Sequence, residues 1–166
     1  MSDRTYARFT IPLSILANAA MTEAVSSAFG IPLPAFQRVV LFDPVPDDAA
    51  GHDSFAVRRV VGQPCLVYEE EDCNYGGASI EDDLCAAHVP FIQVNGAGNE
   101  YGPTSTVYDG ETSEVIRLDH LLEPIAGIGV RDGTVIADPG ELADLERYHR
   151  LRQAVLLFPA LVGSSG

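Results

Sequence analysis

Three sets of side chains in this sequence could do chemistry, and each points to a different class of function. The first is a thiol. Cys73 precedes a helix expected from residue 80, with Gly76 and Gly77 leaving it open to approach. A helix N-terminus stabilises the thiolate, which is the nucleophile of acyl-transfer and redox chemistry. His88 or His120 would be the general base. The neighbouring Glu71, Asp72, Glu81, Asp82 and Asp83 oppose this, because like charge raises a thiol pKa. No protease-type signature surrounds the cysteine. The competing assignment is a small turn residue, with Cys65 and Cys85 at apolar positions in the core.

The second set is metal-binding in type. His52 and Asp53 lie in an acidic loop with Asp47 and Asp48. The spacing is not that of an EF-hand, and Asp-rich loops produce such groupings by chance. His149 sits among Arg147, Arg150 and Arg152 and reads as charge complementation at a helix end. No metal and no cofactor is expected. Residues 95–103 contain a Gly-x-Gly, but no helix follows, so a phosphate cradle fails on context.

The third set is the carboxylates. Residues 69–120 hold twelve acids and one arginine, a charge of −11 out of −14 for the chain, while the flanks are nearly balanced. Tyr68, Tyr75, Tyr101 and Tyr108 lie within or beside this block. Acids recruit arginine and lysine, and tyrosine anchors protein interfaces. The surface expected to bind a partner comprises Glu69, Glu70, Glu71, Asp72, Tyr75, Glu81, Asp82, Asp83, Glu100 and Tyr101. Its partner would be a basic protein of the nucleic-acid-processing type, whose groove the carboxylates occupy as nucleic-acid mimics. The competing assignments are a solvated strand end for 69–72 and ordinary strand packing for the tyrosines.

Composition narrows the choice. All ten basic residues are arginine, so Schiff-base, P-loop and kinase-type lysines are excluded. The acidic balance disfavours direct binding to nucleic acid. Three cysteines without a CxxC pair suit a reduced, cytoplasmic setting. Arg4 and Arg8 precede apolar residues and Ala17-Asn18-Ala19 looks like a cleavage site, but Asp3 and Pro12 argue against a secretory signal. No apolar run approaches the ~20 residues of a membrane span.

The elements that must position these groups follow from local pattern. Strands are expected at 6–13, 36–42, 55–61, 65–70, 91–94, 105–108, 114–118, 125–130 and 134–136. Helices are expected at 14–29 with Ser14 as cap, at 80–87 with Ser79 as cap, and at 140–157 with Asp138 as cap. Glu81, Asp82 and Asp83 would then sit in a first turn, where the dipole favours acids. Asp109-Gly110 and Asp132-Gly133 are hairpin signals. The whole reads as one α+β domain, mainly antiparallel, with a tail at 161–166 expected to fray. An apolar segment at 154–162 offers an alternative role as an oligomeric or structural subunit.

Tyr68, Asn74-Tyr75-Gly76, Ile80, Leu84, Val89-Pro90-Phe91 and Gly98-Asn99-Glu100-Tyr101-Gly102-Pro103 form a cadence over residues 68–108. It resembles small uncharacterised proteins of phages, plasmids and integrative elements. The resemblance carries no activity across; it implies an accessory or host-manipulation role, such as an inhibitor.

Overall fold

Strand β1 (Arg4–Pro12) lies inside a six-stranded antiparallel sheet, with Ala7, Phe9 and Ile11 fully buried on one face and Tyr6, Arg8 and Thr10 on the other. The computed structural model describes residues 4–31, 55–74, 77–97 and 102–158. The strand expected at 36–42 and the His52 loop lie outside these residues. The remaining strands of the sheet are β2 (Phe55–Val60), β3 (Gln63–Asn74), β4 (Phe91–Asn95), β5 (Thr104–Tyr108) and β6 (Ser113–Arg117). Their order is β2-β3-β1-β4-β5-β6, so β1 joins a hairpin on one side to a three-stranded meander on the other.

Both faces of the sheet are covered. On the first, Ala7, Phe9 and Ile11 of β1, Val57 of β2, Leu66 of β3, Phe91 of β4 and Tyr108 of β5 form one cluster. It is roofed by helices α1 (Ala19–Phe29) and α2 (Ala78–Ala86), through Val25 and Leu84. On the second face, Cys65, Val67, Ile92, Val94, Val107 and Ile116 pack under helix α3 (Pro139–Leu156) through Tyr148, Val155 and Leu156. This arrangement explains why β4 is buried at four successive residues rather than at alternate ones. Among the described residues no helix is long and apolar enough to cross a membrane.

Several local expectations are revised. The helix expected from Ser14 is a 3-10 turn (Leu13–Ala17) followed by α1, and Asn18 is the cap, accepting from the Met21 amide at 3.1 Å. The turn wins because it buries Leu13, Ile15 and Leu16 together, a spacing no α-helical face provides. Ser14 instead donates to the Phe158 carbonyl. The β2–β3 turn is Val61-Gly62, both left-handed (φ 50° and 78°), so Gln63 and Pro64 belong to β3 rather than to the loop. Helix α2 starts at Ala78 with Gly77, not Ser79, as its cap.

Strands β7 (Ile128–Arg131) and β8 (Thr134–Ala137) form a separate hairpin whose Asp132-Gly133 turn is left-handed at both residues, as the sequence predicts. Glu141 of α3 ties its base down by accepting from the Gly127 amide and pairing with Arg117. Ile128, Val130, Val135 and Ile136 of this hairpin are exposed. In the C-terminal segment Val155 and Leu156 are core residues while Leu157 is exposed, and residues 159–162 lie outside the described part.

Candidate functional site

The acidic run of β3 continues in strand conformation past the end of β2. Phe55 pairs with Tyr68, and beyond that point, among the described residues, β3 is flanked by β1, as far as the pairing of Arg4 with Asn74. Glu69 lies across from Arg8 and shares its face with Val67; Glu70 lies on the other face, where it accepts from the Tyr68 hydroxyl at 2.6 Å. Between Ala7 and Thr5 the register slips, and Glu71 and Asp72 together oppose Tyr6. This β-bulge interrupts the simple alternation of the four acids. The side chains of 71–74 lie outside the described part of the structure.

Strand order decides which other acids join them. Because β1 is antiparallel to both neighbours, its start lies beside the end of β3 (Arg4 with Asn74) and near the end of β4 (Ala7 with Asn95). The start of β5 and the end of β6 lie at the same edge, through the pairings of Asn95 with Thr104 and Thr104 with Arg117. The turn holding Asp119 and Glu123 follows directly. Helix α2 begins four residues after Asn74, at most about 14 Å of chain, so Glu81, Asp82 and Asp83 start from this end as well. Tyr75, Glu100 and Tyr101 lie outside the described residues, although the strand ends that flank 100 and 101 are here. Asp109, Glu111 and Glu114 are at the opposite end, in and beside the β5–β6 hairpin. The block therefore divides in two, with its greater part at one end.

The carboxylates differ in what they face. Asp109 accepts from the Thr112 amide at 2.7 Å and Asp119 from the Leu121 amide at 2.8 Å, so both shape turns. Asp119 is held below the usual carboxylate range by the amides of Glu123 and Leu121. Glu114 pairs with Arg147 of α3 at 3.2 Å. Among the described residues Glu81, Asp82 and Asp83 have no cationic partner, and Asp82 and Asp83 are exposed.

Glu81 behaves against the dipole expectation. It is half-buried, and burial first, then Asp82, push its carboxyl upward. A carboxyl raised in the folded state binds its proton more tightly there than in the unfolded chain. Its penalty is therefore absent below the ordinary carboxylate value and develops as pH rises through the raised one. Glu81→Gln is expected to raise the thermal midpoint at pH 7 and to leave it unchanged at a pH below the ordinary carboxylate value. Thermal unfolding followed by circular dichroism at the two pH values measures this; equal midpoints at pH 7 would refute it.

Cys73 lies near the end of β3, across from Thr5 of β1, and α2 begins five residues later at Ala78. His88, with φ 56°, lies within the α2–β4 connection and shares a hydrogen bond with the Gly110 carbonyl at 2.9 Å, beside Tyr108. It fastens one turn to another. His120 is exposed in the turn after β6. Cys65 is fully buried and its thiol is pushed up to about 12 by burial, with Arg152 pulling the other way. Burial also raises the Cys85 thiol, helped by Glu81 and Asp82. Among the described residues no three His, Cys, Asp or Glu side chains converge as a metal set. His149 and its arginines lie more than a turn before the helix end, and Arg147 serves ion pairs with Glu114 and Asp144 rather than the helix terminus.

One feature of the second face escaped the sequence reading: Arg8, Arg58 and Arg152, from three elements, line a common cavity. Alternation in β2, with Val57 inward and Arg58 opposite, was the available signal. No family model, curated protein or solved structure matches this chain.

Proposed function

We propose that the protein is a non-enzymatic acidic binding protein that engages a basic, nucleic-acid-processing partner through the sheet end carrying β3 and the start of α2, in the manner of a nucleic-acid mimic. The observation that supports this most directly is the lack of cationic partners for Glu81, Asp82 and Asp83 among the described residues, at an end where β3 brings four further acids. Carboxylates without an internal counter-ion leave their field in solvent, where it attracts an arginine- or lysine-rich groove and speeds association. Thiol chemistry has less support, since the two described thiols are both raised by burial. An inhibitory or accessory role on a mobile element agrees with the resemblance of residues 68–108.

The test is capture of partners from a lysate of the source organism at low salt, followed by elution with rising salt. A basic or nucleic-acid-processing protein should leave the column as salt increases. Reversing the exposed Glu70, Asp82 and Asp83 to lysine should weaken its binding roughly tenfold or more, mostly through slower association. Reversing Glu111, Asp132 and Glu146, which are exposed elsewhere, should change it little. Equal binding by both triple variants, measured by surface plasmon resonance, would overturn the reading.

A further inference from the structure

Helix α3 packs over β5 and β6 and reaches β4 and β1, and a cavity of about 630 Å³ opens beside it on the same face. Its lining combines the buried Val67, Ile92 and Val94 of the sheet with Arg58 from β2 and Arg152 from α3. We propose that this cavity binds a compact phosphate-bearing organic molecule, with the phosphate held between Arg58 and Arg152.

The charge is the first argument. Four of the chain's ten arginines line this cavity, in a chain of net charge −14, against two lining glutamates, Glu69 and Glu123. Glu69 is committed elsewhere: it lies across from Arg8, and both interact with the Tyr6 side chain. Arg58 and Arg152 are in no ion pair with a carboxylate among the described residues. Both arginines lie in the neighbourhood of Cys65. Arg58 is the cross-strand partner of Cys65, and Arg152 is close enough to act on the Cys65 thiol. Arg58 from β2 and Arg152 from α3 thus bring positive charge to the cavity from two different elements.

Geometry and size select the anion. A planar carboxylate is satisfied by one bidentate arginine, whereas a tetrahedral phosphate offers oxygens toward two walls at once. The volume falls within the 300–1,000 Å³ range of small-molecule sites, and Val67, Ile92 and Val94 offer apolar surface to an organic body beside the charged groups. An extended polyanion is repelled by the whole-chain charge, which leaves a small ligand. This site is on the second face and does not depend on the acidic end being an interface.

The experiment titrates adenosine 5′-monophosphate, adenosine and inorganic phosphate into the full chain, read by calorimetry and by shifts of the Val67 and Ile92 methyl resonances. The monophosphate should bind more tightly than either fragment. Arg58→Gln and Arg152→Gln should each lower its affinity about tenfold or more while the thermal midpoint stays unchanged. Arg58→Lys should recover part of the loss, since it keeps charge but not the fork. Arg131→Gln, on the distant hairpin, should bind as the parent does. Absence of heat and of shifts at about 1 mM monophosphate would overturn the proposal. So would binding unaffected by both glutamine variants, or adenosine binding as tightly as its phosphate.

Discussion

Phe9→Ala is expected to lower the unfolding free energy by about 4 kcal/mol, enough to threaten a fold whose total stability is of order 5–15 kcal/mol. Phe9 is fully buried at the middle of β1, the strand on which both halves of the sheet are built. Its ring meets Phe29 of α1 edge-on at 5.3 Å and Phe91 of β4 at 6.1 Å; Phe91 meets Tyr108 at 5.7 Å, and Phe29 meets Tyr68 at 4.9 Å. The ring thus links α1, β1 and β4 directly, and β3 and β5 at one remove. Truncation removes apolar burial and leaves a cavity that five elements cannot close together. In a chain of this length the midpoint should fall by about 10 °C. Phe9→Leu, which keeps most of the volume, should cost about 1–1.5 kcal/mol. Urea unfolding of the three proteins provides the comparison. Similar midpoints for the alanine variant and the parent would mean that the aromatic cluster is not the centre of the first core.

What the sequence made legible was chiefly local. Asp132-Gly133 gave its turn because two left-handed residues in succession leave few choices of side chain, and Asp138 followed by Pro139 gave the start of α3 because cap and first helical residue are both specified. Ser14 and Asn18 were both competent caps four residues apart, and only the need to bury Leu13, Ile15 and Leu16 together decided between them. The extent of β3 was hidden because carboxylates are poor strand formers, and pairing with β1 overrode that preference.

The site was less legible than the fold, and for one reason. Whether Glu69–Asp72 and Glu81–Asp83 share an end of the molecule depends on the pairing of β1 with both β3 and β4, contacts between residues more than fifty and more than eighty positions apart. No local pattern carries that information. The same pairing sets Arg8 beside Glu69 and so leaves Arg58 and Arg152 as the arginines available to a ligand. Strand order thus gathers most of the acids at one end of the sheet and brings four arginines, with Glu69 and Glu123, to the cavity on its second face.

The attachment of α3 carries the second large expected effect. Tyr148 is buried, and its hydroxyl lies 2.8 Å from Ser105 Oγ, which in turn lies 3.1 Å from the Gln93 carbonyl. A carbonyl can only accept, so the serine proton goes to Gln93 and the tyrosine must donate to the serine. The relay runs from α3 through β5 to β4 in a region shielded from water. Tyr148→Ala is expected to cost about 4 kcal/mol, from lost ring burial and from an unmet serine acceptor. Tyr148→Phe keeps the ring and removes only one hydrogen bond, at about 1 kcal/mol. Ser105→Ala should cost more than Tyr148→Phe, about 2 kcal/mol, because it strands a buried donor and a buried carbonyl together. The double variant Tyr148→Phe with Ser105→Ala should then be less destabilised than the two single losses combined, since the stranded donor is gone. Denaturant unfolding of the four proteins closes this cycle, and strict additivity would show that the hydroxyls do not interact. The alanine variant bears on the cavity as well. Tyr148 and Arg152 are one turn apart on the helix face that lines it, so loosening the helix should displace the Arg152 wall and weaken phosphate binding, whereas Tyr148→Phe should leave that binding intact.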